Sequence, residues 1–445
     1  MIQYTSQQEY IIQKAIDWFY NSDEQLFQYA GGPGTGKSFI LMEIVKRLGL
    51  DIENEVAPMS YIGAAALNMR KYGLVSAKTI HSWLFEIREI PETDSFGHIV
   101  YNDNGKISKV KVFLPKDMLP MTIRLIIIDE AFCVPLSLKQ YIMKHGIKVL
   151  ACGDTHQLPP VADSPAFLIS GEIYKLTEIM RQSGRDDIIQ IAIARYNDYK
   201  VTRGRSQNAL VIDRNQLTDE MLLWADEIIC GKNSTRDNIN NHIRYIKGYH
   251  SILPMYGEKL VCRNNNWDLI SRTPDGYDMA LVNGIIGTVT NQPSISSYNK
   301  NNHSIPIEFM CNDISCSFLA NASYEYFLSN SEERKKIKSI NSNRKSKSTQ
   351  LFEFAYAITC HIAQGSQFDK VIYIEESMYG DIQAPLNLVG ATRAVKQLIY
   401  VLDDGYKWHN LSEDTALEQS KVSSLQSLIS SKYIHKKKTY SKSLI

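Results

Sequence analysis

The chain lacks the features that mark secreted, membrane and disulfide-built proteins. No apolar run approaches the roughly 20 residues of a membrane span, so no membrane partner is expected. The first residues, MIQYTSQQEYII, have neither a basic start nor an uninterrupted apolar stretch. No secretory leader is therefore expected, and the expected location is cytoplasmic, or nuclear in a eukaryote. The 7 cysteines, Cys133, Cys152, Cys230, Cys262, Cys311, Cys316 and Cys360, are scattered and odd in number. That argues against a disulfide framework and suits free thiols in a reducing compartment. Cys311 and Cys316, with His303 upstream, have no second CxxC-like pair to complete four zinc ligands, so buried thiols are expected there. An excess of one charge is also missing, since 49 Lys and Arg against 48 Asp and Glu leave a formal net of +1. A total near zero neither supports nor excludes nucleic-acid binding, because local patches carry that term. What remains is an ordinary globular composition of 445 residues, 44% hydrophobic and 22% charged. At roughly 150 residues per domain, such a length suggests about three folding units.

What is present begins with Gly31–Ser38, GGPGTGKS, which has the P-loop spacing of a glycine, four free positions and Gly-Lys-Ser. An apolar and aromatic segment, Leu26–Ala30, leads in, and a helix-patterned segment, Phe39–Leu48, leads out. A P-loop needs that context. Glycines let the backbone wrap phosphate and aim N–H groups inward, and the following helix turns its positive end toward the same anion. Lys37 reaches the β- and γ-phosphates in such a loop, and the Ser38 hydroxyl holds Mg²⁺.

Around this loop the pattern alternates. Thr5–Tyr20 reads as an amphipathic helix, Val56–Ile62 as a strand, Gly63–Lys71 as a helix and Thr79–Leu84 as a short helix. Leu125–Ile128 and Lys148–Cys152 read as buried strands, ending in Asp129-Glu130 and Gly153-Asp154. Strands alternating with helices predict an α/β fold with a parallel sheet, whose chemistry gathers at the carboxyl ends of the strands. Between these elements, 86–120 breaks the rhythm: His98–Asn102 and Lys106–Phe113 alternate around an Asn104-Gly105 turn signal, predicting an inserted β-hairpin. A second α/β unit starts near Asp186, with a strand at Glu227–Cys230, a helix at Asn238–Tyr245 and short strands at Lys259–Arg263 and Gly284–Thr290. Residues 291–350 read as irregular and polar, ending in a basic loop. Glu353–Ala363 is expected to be helical, with buried strands at Lys370–Ile374 and Leu398–Leu402 and a mobile Ser/Lys-rich tail beyond.

Asp129-Glu130, directly after an apolar strand and downstream of a P-loop, supplies what hydrolysis requires: an Asp for Mg²⁺ and a Glu to activate the attacking water. In Gly153–Val161, GDTHQLPPV, Gln157 is positioned to sense the γ-phosphate. GGPGTGKS, IIIDEAF and GDTHQLPPV, in that order, resemble the superfamily 1 helicases, and TIHSWL upstream narrows the resemblance to superfamily 1B, the RecD-like and phage Dda-like branch. LTEIMRQ at 176–182, AYAITCHIAQGSQ at 355–367 and LVGATRA at 388–394 resemble that family's motifs IV, V and VI.

The resemblance implies ATP and Mg²⁺ as cofactors and two RecA-like parallel-sheet motor domains. Residues 1–85 and 121–182 would form the first, with a strand-separating β-hairpin at 86–120. Residues 183–283 and 351–403 would form the second, with a β-rich SH3-like insertion and basic loop at 284–350 and a tail at 404–445. It makes Lys37, Glu130, Gln157, Arg181 and Arg393 catalytic, with Ser38 and Asp129 on the metal. It gives Gln8, Gly32, Pro33, Gly34, Thr35, Gly36, Lys37, Ser38, Phe39 and Gly365 to ATP, Gln8 being its adenine reader. It lines a strand groove with Ser60, Gly63, Thr79 and His81 in the first domain, and with Asn233, Ser234, Thr359 and His361 in the second. Trp83 and Trp267 either stack on bases or pack in the interior. The chain departs from the family pattern at Ile62, Ile362 and Gln367, which affects individual nucleotide or DNA contacts.

The activity implied is 5′-to-3′ ATP-dependent unwinding of DNA in replication, recombination or repair. The expected substrates are single-stranded DNA or a forked duplex, the expected state is a monomer, and single-strand-binding or replisome proteins are candidate partners. Two alternatives stay open at this point: a translocase that remodels complexes without robust unwinding, and an ATP-gated nucleic-acid clamp.

Overall fold

A computed structural model describes residues 4–403 apart from 92, 94–97, 102–104, 161–162, 179–185, 275, 277, 295–296, 300–302, 312–314, 330, 344–348 and 379–381. Arg181, the 404–445 tail and the end of the basic loop therefore lie outside the described residues. In chain order the first half runs α1 (Ser6–Asn21), β1 (Leu26–Gly31), α2 (Lys37–Arg47), β2 (Val56–Ser60), α3 (Gly63–Lys71), β3 (Lys78–Thr79), α4 (Ile80–Leu84), β4 (Phe85–Pro91), β5 (Lys109–Pro115), β6 (Leu125–Asp129), α5 (Leu136–Met143), β7 (Lys148–Gly153) and β8 (Ile173–Leu176).

Six of these strands form one sheet in the order β3-β2-β6-β7-β1-β8, all parallel. Its central strand β6, LIIID, is buried along its whole length. Successive side chains of a strand point to opposite faces. Leu125 and Ile127 accordingly pack with α1 and α2 (Ile12, Ile40, Ile44), while Ile126 and Ile128 pack on the other face with Ile80, Val134 and Ile142. Each fully buried Ile or Leu contributes about 1.5–3 kcal/mol, so a strand apolar on both faces is held in the middle of the sheet. The segments that carry P-loop, Asp-Glu and Gly-Asp motifs consequently leave the same edge.

The second half runs α6 (Asp186–Tyr196), β9 (Gly204–Arg205), β10 (Ala209–Asp213), α7 (Asp219–Trp224), β11 (Glu227–Cys230), α8 (Asn233–Ile246), β12 (Lys259–Cys262), β13 (Asn266–Arg272), β14 (Asp278–Leu281), β15 (Ile286–Val289), β16 (Ser304–Cys311), β17 (Cys316–Ser323), α9 (Tyr324–Leu328), α10 (Ser331–Asn343), β18 (Phe352–Phe354), β19 (Ala357–Thr359), α11 (Cys360–Ala363), β20 (Phe368–Ile374), α12 (Gln383–Thr392) and β21 (Ala394–Leu402). A second six-stranded sheet has the order β19-β11-β20-β21-β10-β9, parallel except for the edge strand β9.

Three local readings are corrected. Residues 291–350 are not irregular. They contain the hairpin β16–β17, whose alternating Ile305, Ile307, Phe309 and Cys311 face one core opposite Cys316, Phe318, Ala320 and Ala322, and the basic run forms α10. This alternation is the period-2 signal of a half-buried strand, blurred in the sequence by Pro306 and Met310 at its outward positions. Second, Glu353–Ala363 is not one helix. Phe352–Phe354 pairs with β12 and Ala357–Thr359 with β11, leaving only one helical turn. Lys259–Cys262 and Phe352–Phe354 therefore belong to a five-stranded antiparallel sheet, β17-β16-β15-β12-β18, rather than to the parallel one. Third, the inserted hairpin pairs β4 with β5 from Phe85↔Pro115 to Pro91↔Lys109, whereas among the described residues 98–101 and 106–113 are joined by the isolated bridge Tyr101↔Ile107. Seven register pairs outweigh the local turn signal. All seven cysteines are free and buried, and no metal-holding cluster occurs among the described residues. Among them, too, no helix is long and apolar enough to cross a membrane.

Candidate active site

The P-loop geometry follows from its glycines. A side chain at Gly31 would lie 2.6 Å from Thr35 Oγ1 and 2.9 Å from Leu176 Cβ. Gly34 and Gly36 have φ of 79° and 81°, in the left-handed region that L-residues avoid. The turn is closed by Thr35 Oγ1 donating to the Gly32 carbonyl at 2.9 Å, and α2 starts at Lys37. The Lys37 ammonium donates to the carbonyls of Gly31 (2.7 Å) and Gly32 (3.1 Å), so it lies along the loop it serves. Phe39 stacks on Tyr4 at 5.3 Å and keeps 37% of its surface exposed. Gln8 is buried and engaged at both ends. Its oxygen accepts from Thr5 N (3.2 Å) in a capping box, and its Nε2 donates to the Thr35 carbonyl (3.0 Å). In this arrangement the Gln8 amide props the P-loop.

The Asp129-Glu130 pair closes β6 beside the P-loop helix. The Ser38 hydroxyl lies 3.5 Å from Asp129 Oδ2, while Asp129 Oδ1 accepts from Glu130 N (2.9 Å) and the Cys152 thiol (3.3 Å). One hydroxyl and one carboxylate oxygen facing each other are the hard donors Mg²⁺ takes, with water and phosphate filling its remaining positions. Both residues therefore fit the metal. Glu130 has φ 52°, a strained conformation for a non-glycine, and it opens the short turn Ala131–Cys133. Desolvation and the Asp129 charge push its carboxyl up to about 7, against the pull of Lys37 and Arg393. Such a value suits a general base near neutral pH.

Gln157 is buried in the loop after β7. Two neighbours in that loop were not singled out by the sequence reading. Asp154 is buried, with Oδ1 accepting from His156 N (3.0 Å) and lying 3.2 Å from His156 Nδ1. The Asp154 hydrogen bond raises the His156 pKa. The His156 ring meets Tyr196 of α6 edge-on at 5.3 Å, so this loop touches the second half of the chain.

That second half completes the site. Arg393, the residue after α12, is buried, with its guanidinium donating to the carbonyls of Val389 (3.1 Å) and Ser366 (3.3 Å). Its charge acts on both Glu130 and Asp154. Gly365 has φ 81° and packs against α3, where a side chain would lie 3.0 Å from Ala65 N; its carbonyl accepts from Asn68 Nδ2. Its neighbour Gln364, inside the AYAITCHIAQGSQ motif but not singled out, is buried against Cys133 and Gln157.

The proposed groove residues divide into two groups. Ser60 is buried, its hydroxyl donating to the Asp129 carbonyl at 3.2 Å, so it joins β2 to β6. Thr359 is buried as well, at the start of α11. His81 and His361 are half-buried, and burial lowers the pKa of both, which leaves them neutral at pH 7. His81 stacks on Phe85 at 5.5 Å. In contrast, Asn233 and Ser234 are exposed in the first turn of α8. Gly63 and Thr79 line a cavity of about 240 Å³ with Arg70, Lys78 and Ser82 on one wall and Ile270, Met279 and Val282 on the other. Trp83 is an interior residue: its Nε1 donates to the Pro58 carbonyl at 2.9 Å, and its ring packs against the core. The Trp267 side chain lies outside the described residues.

Two largely parallel sheets, with a P-loop, an Mg²⁺-competent Ser–Asp pair and a strained Glu in the first half and a buried arginine in the second, form a two-part site suited to a nucleotide's phosphates. Residues 3–212 match the family model of an AAA domain. Residues of this chain are 29% identical over 178 positions to the ATP-dependent DNA helicase PIF1 of Candida albicans, covering 36% of this chain and 17% of that protein. They are 29% identical over 177 positions to the ATP-dependent RecD2 DNA helicase of Deinococcus radiodurans, covering 38% and 21%. The matches thus span only a minor share of these relatives' length. In fold, the chain resembles a structure of two coordinating Pif1 helicases at forked duplex DNA (TM-score 0.51, 18% identity, 90% of this chain and 92% of that one). It is equally similar to Bacteroides Pif1 bound to single-stranded DNA (TM-score 0.51, 17% identity, 90% and 93%).

Proposed function

We propose that this chain is an ATP-driven DNA helicase that moves 5′ to 3′ on single-stranded DNA and opens duplex ahead of it, working as a monomer on a strand or a fork. The observation that carries this reading is the composite site: Lys37, Ser38, Asp129, Glu130 and Gln157 on one sheet face Arg393 from the other. An arginine supplied by a second domain reaches the transferring phosphoryl group only when the domains close, so hydrolysis and domain motion are coupled.

In this reading the P-loop amides and Lys37 hold the β- and γ-phosphates, and Ser38 and Asp129 would hold Mg²⁺, which would supply neutralisation of phosphate charge. Glu130 takes the proton of the attacking water. Gln157, Arg393 and the motif IV residue Arg181 stabilise the charge that develops. After hydrolysis Arg393 loses its anionic partner and the domains separate, releasing one half of the strand groove. Gly63 and Thr79 with the cationic wall of Arg70 and Lys78, and Asn233 and Ser234 at the start of α8, supply phosphate contacts that read no bases. The polarity rests on the resemblance of the motifs to those of the superfamily 1B helicases.

The test is the ATPase rate with and without single-stranded DNA, together with unwinding of 5′- and 3′-tailed duplexes. Stimulation by DNA and unwinding of the 5′-tailed duplex alone are expected. An ATPase indifferent to DNA, with neither duplex opened, would overturn the proposal.

A further inference from the structure

Gln364 follows α11 and is only 4% exposed. Its Nε2 is directed at three acceptors of the first half of the chain: Cys133 Sγ at 2.7 Å, Gln157 Oε1 at 3.4 Å and the Leu158 carbonyl at 3.5 Å. Its position is held from the other side. The next residue, Gly365, lies against the start of α3, leaves no room for a side chain beside Ala65, and accepts at its carbonyl from Asn68. A two-residue step of the second half is therefore clamped between α3 and the Gln157 loop.

The chemistry of Gln157 makes this contact consequential. A glutamine side chain carries an acceptor oxygen at one end and a donor NH₂ at the other, nearly identical in shape. Phosphate oxygens only accept. Gln157 can therefore bond a γ-phosphate only through its nitrogen, and a rotated amide would set oxygen against oxygen. A donor that holds Gln157 Oε1 leaves the NH₂ group as the end free for the nucleotide. We propose that Gln364 is a positioning residue that fixes the orientation of the Gln157 amide, and that it does so from the opposite half of the chain, so that Gln157 is set for catalysis only when the two halves are together. This rests on reading the site as an ATPase.

The experiment is a double-mutant cycle in DNA-stimulated ATPase. Gln364→Met keeps the volume and removes the donor. It is expected to lower kcat about 10-fold or more while leaving KM for ATP within about twofold, the signature of an interaction made in the transition state. In a Gln157→Ala background the same substitution is expected to have no further effect, because nothing remains to orient. Gln364→Glu, which presents acceptors instead of donors, should fall at least as far as Gln364→Met. Circular dichroism melting accompanies each variant. If Gln364→Met does not fold, Gln364→Asn, which shortens the donor's reach, is read in the same cycle with the same expectation. A kcat close to wild type, or an equal loss with and without Gln157, overturns the inference and makes Gln364 a packing residue. The two readings fail separately. A wild-type chain without ATPase activity removes the proposed function, whereas an active wild type with additive variants removes only the role of Gln364.

Discussion

Glu130, after β6, and Arg393, after α12, come from the two halves of the chain; burial, the largest influence, pushes the Glu130 carboxyl up and the Arg393 guanidinium down, and the charge of each offsets part of the other's shift. The groups proposed as general base and arginine finger thus feel each other's charge. Arg393→Ala is expected to reduce kcat for ATP by about 10³-fold with little change in nucleotide affinity, since the finger acts on transition-state charge. Arg393→Lys should not restore it, because an ammonium lacks the planar fork that also meets the Val389 and Ser366 carbonyls. ATPase rates and fluorescent-nucleotide titration check both; a Lys variant at wild-type rate would argue for a simple charge role.

Glu130 is held in a left-handed conformation at the strand end. Glu130→Gln keeps the shape and removes the base. Hydrolysis is expected to fall by about 10²–10⁴-fold while ATP and single-stranded DNA still bind. Single-turnover hydrolysis beside a DNA mobility shift measures the two separately, and loss of nucleotide binding would instead assign Glu130 to substrate holding.

The hairpin β4–β5 is paired through seven residues on each strand before its tip. Replacing residues 92–108 with a two-residue Asn-Gly turn is expected to preserve the paired stem, which such a turn can close. If the hairpin separates strands, DNA-stimulated ATPase persists and duplex unwinding is lost. Unwinding at the wild-type rate would make it a structural insertion.

Below the second sheet, Glu353 gathers Arg236 (2.8 Å), Arg263 (3.0 Å) and the Tyr326 hydroxyl (2.7 Å). Burial alone would push its carboxyl up, but Arg263, Arg236 and Lys338 outweigh burial and hold it down at about 2. A carboxylate depressed in the folded state stabilises fully above its unfolded value and loses that contribution as pH falls toward the folded one. Stability is thus expected to drop by about 3 kcal/mol between roughly pH 4.5 and pH 2 through this group. Glu353→Gln should lower the urea midpoint at pH 7 and flatten that acid limb. An unchanged acid limb would show that the cluster's net contribution is small.

The nucleotide half of the site was legible because its chemistry is local. Eight consecutive residues make the P-loop, and Asp129-Glu130 and Gln157 follow apolar strands whose burial on both faces is written in their composition. The antiparallel insertion was less legible. Pro306 and the apolar Met310 at outward positions blur the alternation of Ile305, Ile307 and Phe309, and the paired segments Lys259–Cys262 and Phe352–Phe354 lie far apart in the chain. The groove reading separated for the same reason. Ser60 and Thr359 are small polar residues at strand ends whose hydroxyl sites are buried, a distinction that spacing does not carry.

By itself, then, the sequence pointed to a phosphate-wrapping loop at Gly31–Ser38, to an Asp-Glu pair at a strand end suited to metal and proton transfer, and to strands alternating with helices in two halves. Tertiary structure alone decided which groups meet across those halves. It set Arg393 against Glu130, Gln364 against Gln157 and Gly365 against Ala65. The reason is physical. Strand burial and loop chemistry are set within a dozen residues, whereas contacts between sheets join positions more than 200 residues apart, whose meeting depends on the packing of everything between them.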